Sequence, residues 1–180
     1  MNKKLKRPAL TAALVGIMVA CCVGGKLALA TLPNIEVVTL FTALFSYVFG
    51  WAGVVSAFIF VIVESLIWGF GSWVIAYFIY WPSVGVVFLL LGKLGIKNRF
   101  ALTALTVLLT ALFGLLTSLA EIGLFSGFWD NFGARFWIYY LRGTVFYAVH
   151  IASNAVIFSL IFTFLAEKLE KIKRRIFKQA

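Results

Sequence analysis

The sequence predicts an all-α integral membrane bundle of six transmembrane helices, both termini cytoplasmic, forming a single domain over 1–180. Three observations carry this. First, 63% of the 180 residues are hydrophobic and only 12% charged, with a mean hydropathy of +1.06, whereas a soluble domain is roughly half apolar and about a quarter charged. One core of this size cannot hide that excess, so most apolar side chains must meet lipid. Second, apolar runs use nearly the whole length and leave no room for a separate soluble domain. Third, the basic residues stand in short clusters beside those runs, as juxtamembrane anchors do, and this placement argues against nucleic acid as the partner of the net charge of +10.

The first helix is expected over 8–29, after a basic tail at 1–7. It carries small residues at four-residue spacing: Ala9 and Ala13 on one line, Ala12, Gly16, Ala20, Gly24 and Ala28 on another. Such rows let a second backbone approach closely in lipid. Packing within the chain and docking of another membrane subunit both fit them. Residues 1–30 also resemble a signal peptide ending in Ala28-Leu29-Ala30, and Ala20-Cys21 hints at a lipoprotein site. The apolar stretch from Pro8 to Gly25 exceeds the roughly 7–15 residues of a signal h-region, so a retained helix is expected.

The second helix, 36–49, opens from "LPNIEVVTLF". Pro33 is tolerated before a helix starts, Asn34 reads as its N-cap, and Glu36 lies where the helix dipole favours an anion. Gly50, Trp51 and Gly53 divide this helix from a third over 52–68, because the undivided run is too long for one span. Glu64 and Trp68 share a face of the third helix. An acid inside a span is a functional candidate by default; a salt bridge to Arg135 or Arg142 is the plainer alternative. The fourth helix, 73–92, places Tyr77, Tyr80 and Trp81 along one side, with Pro82 able to kink it.

A fifth helix is expected over 100–120, then a long outer loop over 121–142 that holds Trp129, Asn131, Arg135, Trp137, Tyr139, Tyr140 and Arg142. The sixth helix, 143–166, puts Tyr147, His150 and Asn154 on one face, followed by a basic tail at 167–180. Polar groups there need partners or a water-filled cavity, so an interhelical hydrogen bond and a ligand contact both fit.

With the amino terminus inside, thirteen of the sixteen basic residues are cytoplasmic, and only Lys26, Arg135 and Arg142 fall outside. Four of the six acids, Glu36, Glu64, Glu121 and Asp130, then gather on the outer side. No CxxC or HExxH spacing appears, and adjacent Cys21 and Cys22 read as small buried hydrophobes, so neither a metal nor a disulfide is expected. A lone histidine argues against a b-type haem, and no nucleophile stands beside it. No G-x-x-x-x-G-K-[ST] loop is present, so any ATP chemistry must come from partners. No cofactor and no enzymatic activity are expected.

Six short helices, both ends inside, a small-residue row on the first helix and a polar outer mouth resemble the substrate-binding S component of energy-coupling factor (ECF) transporters. "LPNIEVVTLFTALFSYVFGW" and "ESLIWGFGSWVIAYFIYWP" are similar to segments of that family. The resemblance covers nearly the whole chain through degenerate motifs. It implies a cell-membrane subunit that captures a vitamin or related micronutrient from outside and docks on a transmembrane coupling subunit carried by two cytoplasmic ATPases. Transport would follow by toppling in the bilayer. It further implies that Ala9 and Ala13, or Ala12, Gly16 and Ala20, contact the coupling subunit. The substrate pocket would then draw on Asn34, Glu36, Glu64, Trp68, Tyr77, Trp81, Asn131, Arg135, Tyr139, Arg142, Tyr147, His150 and Asn154. A structural or assembly subunit and a small membrane enzyme are the rival expectations.

Overall fold

The computed structural model describes residues 3–127 and 129–179, with side chains over 8–127 and 129–178. Met1 and Asn2 of the basic tail at 1–7 lie outside the described residues, as do the side chains of Lys3, Lys4, Lys6 and Arg7 and all of Ala180. The described chain is helical, with no strand among the described residues. Its elements are α1 (Lys3–Ala28), α2 (Val38–Phe49), α3 (Trp51–Trp68), α4 (Trp73–Lys93), α5 (Arg99–Ala120), α6 (Phe132–Ile157) and α7 (Thr163–Gln179). A wide π turn, Glu121–Phe125, extends α5, and a second, Phe158–Phe162, joins α6 to α7 without a break.

Five of these helical stretches are long and apolar enough to cross a membrane. α2 is the short apolar one, at twelve residues, or about 18 Å at 1.5 Å per residue. Nine of those twelve residues are buried, and α2 touches α1, α3, α4, α6 and α7. It is therefore the packing centre of the bundle. Leu44, Phe60, Val84, Phe88, Phe158 and Phe162 fill the core around it, with Met18 and Cys22 arriving from α1. Phe88 meets Phe158 and Phe162 at ring separations of 5.7 and 5.3 Å.

The α2–α3 corner depends on two glycines. Gly50 has φ +67°, which a side chain disfavours, and it lets the chain reverse within one residue. A Cβ on Gly53 would run into the backbone of Phe45 and Ser46, so the two helices cross there at backbone contact. Separate second and third helices were expected from these residues, and separate helices form.

Several boundaries differ from expectation: α1 begins at Lys3, α7 carries the helix through the expected tail to Gln179, and two others bear on the cavity. α2 begins at Val38, and its cap is the Glu36 carboxylate, which accepts from the Thr39 N–H at 2.8 Å. Asn34 does not cap it; with φ +58°, Asn34 takes the left-handed turn position that Asn tolerates. The long outer loop expected over 121–142 shrinks to 126–131, because α6 starts at Phe132. Phe132, Phe136 and Tyr140 recur every four residues and stack successively at 5.7 and 5.9 Å. Arg135 donates to the Ser126 and Asp130 carbonyls and fastens the loop to this first part of α6. The stretch Phe132–Lys178 is 47 residues long, about 70 Å of helix against a hydrocarbon core of roughly 30 Å. It projects beyond any single apolar layer.

On α1 both small-residue lines face outward: Ala9, Ala12, Ala13, Gly16 and Ala20 are all exposed. A Cβ on Gly16 would meet nothing within 4 Å. Packing inside this chain therefore does not explain the rows. Substituting Gly53→Val should lower the thermal midpoint in detergent, by about 1–3 kcal/mol of stability. Gly16→Val should leave the midpoint unchanged, and differential scanning fluorimetry of both variants checks the pair.

Candidate functional site

At the end of the bundle where α1 finishes and α2 begins, the 29–37 loop folds over a cavity of about 210 Å³. Leu29, Ala30, Leu32, Pro33, Asn34, Ile35 and Glu36 line it from that loop; Lys26, Tyr77, Trp81, Phe113 and His150 complete it from α1, α4, α5 and α6. Five residues singled out from the sequence thus converge here: Asn34, Glu36, Tyr77, Trp81 and His150. Three apolar–aromatic walls and a small set of convergent polar groups are the usual make-up of a small-molecule site.

Glu36 is the polar hub. Its Oε1 accepts from His150 Nε2 at 3.0 Å and from Asn154 Nδ2 at 3.2 Å, while Oε2 holds the Thr39 N–H. Because a carboxylate only accepts, Nε2 must be the protonated ring nitrogen. Asn154 also donates to Thr110 on α5 at 3.3 Å, and it leaves its own Oδ1 buried without a partner among the described residues. The spacing of His150 and Asn154, one turn apart on α6, is what brings both to one carboxylate oxygen. Phe113 meets the His150 ring edge-on at 5.3 Å and fixes its plane.

The aromatic wall is built on α4. Trp73, Tyr77 and Trp81 recur every four residues and contact one another in sequence, 4.9 and 5.7 Å apart. Tyr80 turns away from the cavity into the bundle, packing on Trp81 and Phe113 at 4.7 Å each. Pro82 lies inside the helix and is buried, where its missing N–H frees the carbonyl one turn back.

Glu64 is fully buried and forms an ion pair with Lys26. The expected partners Arg135 and Arg142 do not reach it: Arg135 is held by the 126–131 loop, and Arg142 is exposed farther along α6. Lys26 also stands 5.1 Å over the Tyr77 ring and 5.9 Å over Trp73. Trp68 is exposed and shares a second, more open recess with Lys26, Trp73 and Tyr77.

The remaining sequence candidates lie away from the cavity. Asn131 ends the 126–131 loop, and Arg135, Tyr139 and Arg142 sit on the extended amino-terminal part of α6; fifteen residues separate Arg135 from His150, about 22 Å along the axis. Tyr147 packs against α5, where Gly114 makes room for its ring and its hydroxyl pairs with Ser118 at 3.1 Å. Of the lining residues carried on helices, Lys26 and Phe113 are those that sequence reasoning passed over. Among the described residues, no three His, Cys, Asp or Glu side chains converge as a metal site would require.

Removing the Lys26 charge strands Glu64 in a dry environment. Lys26→Met should destabilise the protein by about 3–5 kcal/mol, and Lys26→Met with Glu64→Leu should recover most of that loss. A double-mutant cycle by thermal unfolding measures it, and a harmless single substitution would mean the pair carries no structural weight.

Comparison with protein-family models, with curated proteins and with solved structures finds no match to this chain.

Proposed function

We propose that this chain is the substrate-binding subunit of an ECF-type importer. It crosses the cell membrane six times with both ends in the cytoplasm, takes up a small vitamin-like molecule from the outer side, and passes it on by docking on a coupling subunit that two ATPases drive. The observation that carries this reading is the cavity beneath the 29–37 loop. Planar aromatic walls from Tyr77, Trp81 and Phe113 suit a flat ring, and the Glu36–His150–Asn154 group supplies its orientation.

Two further features support it. Lys93, Lys97, Arg99 and the basic α7 share the end of the bundle opposite the cavity, which agrees with an inner placement of that end. α1 turns Ala9, Ala12, Ala13, Gly16 and Ala20 outward, leaving a surface where another membrane helix could approach to backbone contact.

The decisive experiment is co-purification with a coupling subunit and ATPases, followed by native mass spectrometry of the bound small molecule. A ligand released by denaturation and an ATPase-dependent uptake activity are the expected results. A chain that binds no small molecule and whose polar cluster matters only to thermal stability would instead be a structural subunit. Replacing Ala12, Gly16 and Ala20 together by Leu should abolish recovery of the complex while leaving ligand binding by the isolated chain within about twofold, since those side chains face away from the cavity. Pull-down and tryptophan fluorescence on the same preparation separate the two effects.

A further inference from the structure

The charges around the cavity select among ligands. Lys26 of α1, Glu36 of the 29–37 loop, Glu64 of α3 and His150 of α6 are the ionisable groups that line it or pair with its lining, and Tyr77 of α4 stands on the wall. Lys26 is already committed. Its partner Glu64 has no exposed surface, and the second oxygen of that carboxylate, Oε1, has no hydrogen-bond partner among the described residues. An anionic ligand would meet in Lys26 a cation whose charge the buried Glu64 already balances, although only one of its three N–H donors is spent on that carboxylate.

Glu36 stands the other way. A carboxylate offers about four acceptor positions; His150 and Asn154 occupy two on Oε1 and the Thr39 N–H one on Oε2. One position remains, and 16% of the side chain is open. With His150 neutral, the four groups leave one net negative charge; with His150 protonated they leave none. In neither state is the site positive. The rings of Tyr77, Trp81 and Phe113 on the wall add no positive charge, and their quadrupoles favour a cation over an anion wherever a face is presented. A volume of about 210 Å³ holds roughly seven waters at about 30 Å³ each, the bulk of one substituted ring.

We infer that the site takes a small planar cation carrying N–H donors along one edge, of the amidinium or protonated amino-heterocycle kind, and discriminates against carboxylates. The inference rests on reading the cavity as the substrate site. Glu36 receives the N–H edge, the aromatic walls hold the ring, and the Lys26–Glu64 pair stays intact during binding.

Benzamidine, benzamide and benzoate have nearly the same shape and differ in charge, so they test the sign directly. Binding to the purified full-length chain in nanodiscs is followed by quenching of tryptophan fluorescence, with competition among the three probes. Benzamidine should bind at least about tenfold tighter than benzamide, and benzoate should fail to compete. Glu36→Gln should bring benzamidine down to the level of benzamide and leave benzamide unchanged; the wild-type ranking stands as a test even if that variant does not fold. Benzoate binding as well as benzamidine, binding by none of the three, or an undiminished benzamidine preference in Glu36→Gln would overturn the inference. Native mass spectrometry of the chain from its own membranes distinguishes the two levels. A bound carboxylate-bearing molecule defeats the charge assignment and keeps the importer reading, whereas no bound molecule together with no probe binding defeats both.

Discussion

The carboxylate of Glu36 holds together parts of the chain that lie more than a hundred residues apart, 114 to His150 and 118 to Asn154. A polar group with little access to water costs free energy unless it is paired, and in a bundle surrounded by lipid there is no bulk solvent to retreat to. Glu36 meets that demand by capping α2 with one oxygen and binding α6 with the other. The rotation of α6 about its axis follows, since His150 and Asn154 must both face the same atom. With α6 so turned, Tyr147 faces α5, where Gly114 has no side chain to obstruct it. Asn154 reaches Thr110 on the same helix. The cavity is what remains where the 29–37 loop bridges from α1 to this cluster instead of filling the space with side chains.

Lys26 and Glu64 complete the arrangement from the other side. α1 packs on α2 and α3 alone in any substantial way, and only 17% of its most apolar stretch is buried, against 50% for α4. Hydrophobic burial cannot bind such a helix firmly in lipid, where the surroundings are as apolar as the partner. An ion pair between the last turn of α1 and the buried Glu64 of α3 supplies a directional restraint. The same lysine stands over Tyr77, so the restraint and the cavity wall are one structure.

Much of this is legible in the residues. The limits of α3, α4 and α5 follow from glycines and charges; the cap of α5, Asn98, which accepts from the Phe100 and Ala101 N–H groups, is not among the residues singled out from the sequence. The union of Glu36 with His150 and Asn154 is foreshadowed by polar side chains spaced along one face of an otherwise apolar helix. Other features are hidden for physical reasons. Phe132, Phe136 and Tyr140 have helical spacing, but the charged and glycine residues among them read as loop, and only their stacking shows that the helix begins there. Phe113 is one of nineteen phenylalanines, and no sequence signal separates a cavity wall from a lipid-facing ring. Lys26 reads as a stray outer charge because its partner is 38 residues away on another helix. Asn34 suits both an N-cap and a left-handed turn, and the length of the bridge over the cavity decides for the turn.

Two features of the structure belong to one helix. The last turn of α1 contributes Lys26 to the cavity, and the outward face of the same helix presents Ala12, Gly16 and Ala20. An α-helix transmits rotation and tilt along its length because its hydrogen-bonded turns do not deform independently. α1 is also the span least held by burial, so its position depends on the contacts at its cavity end more than that of any other span. The 29–37 loop leads from the last turn of α1 to Glu36, so the loop over the cavity is tied to the same turn that Lys26 anchors to Glu64. The Lys26–Glu64 pair thereby joins the cavity wall to the position of the outward face of α1, with no further element between them.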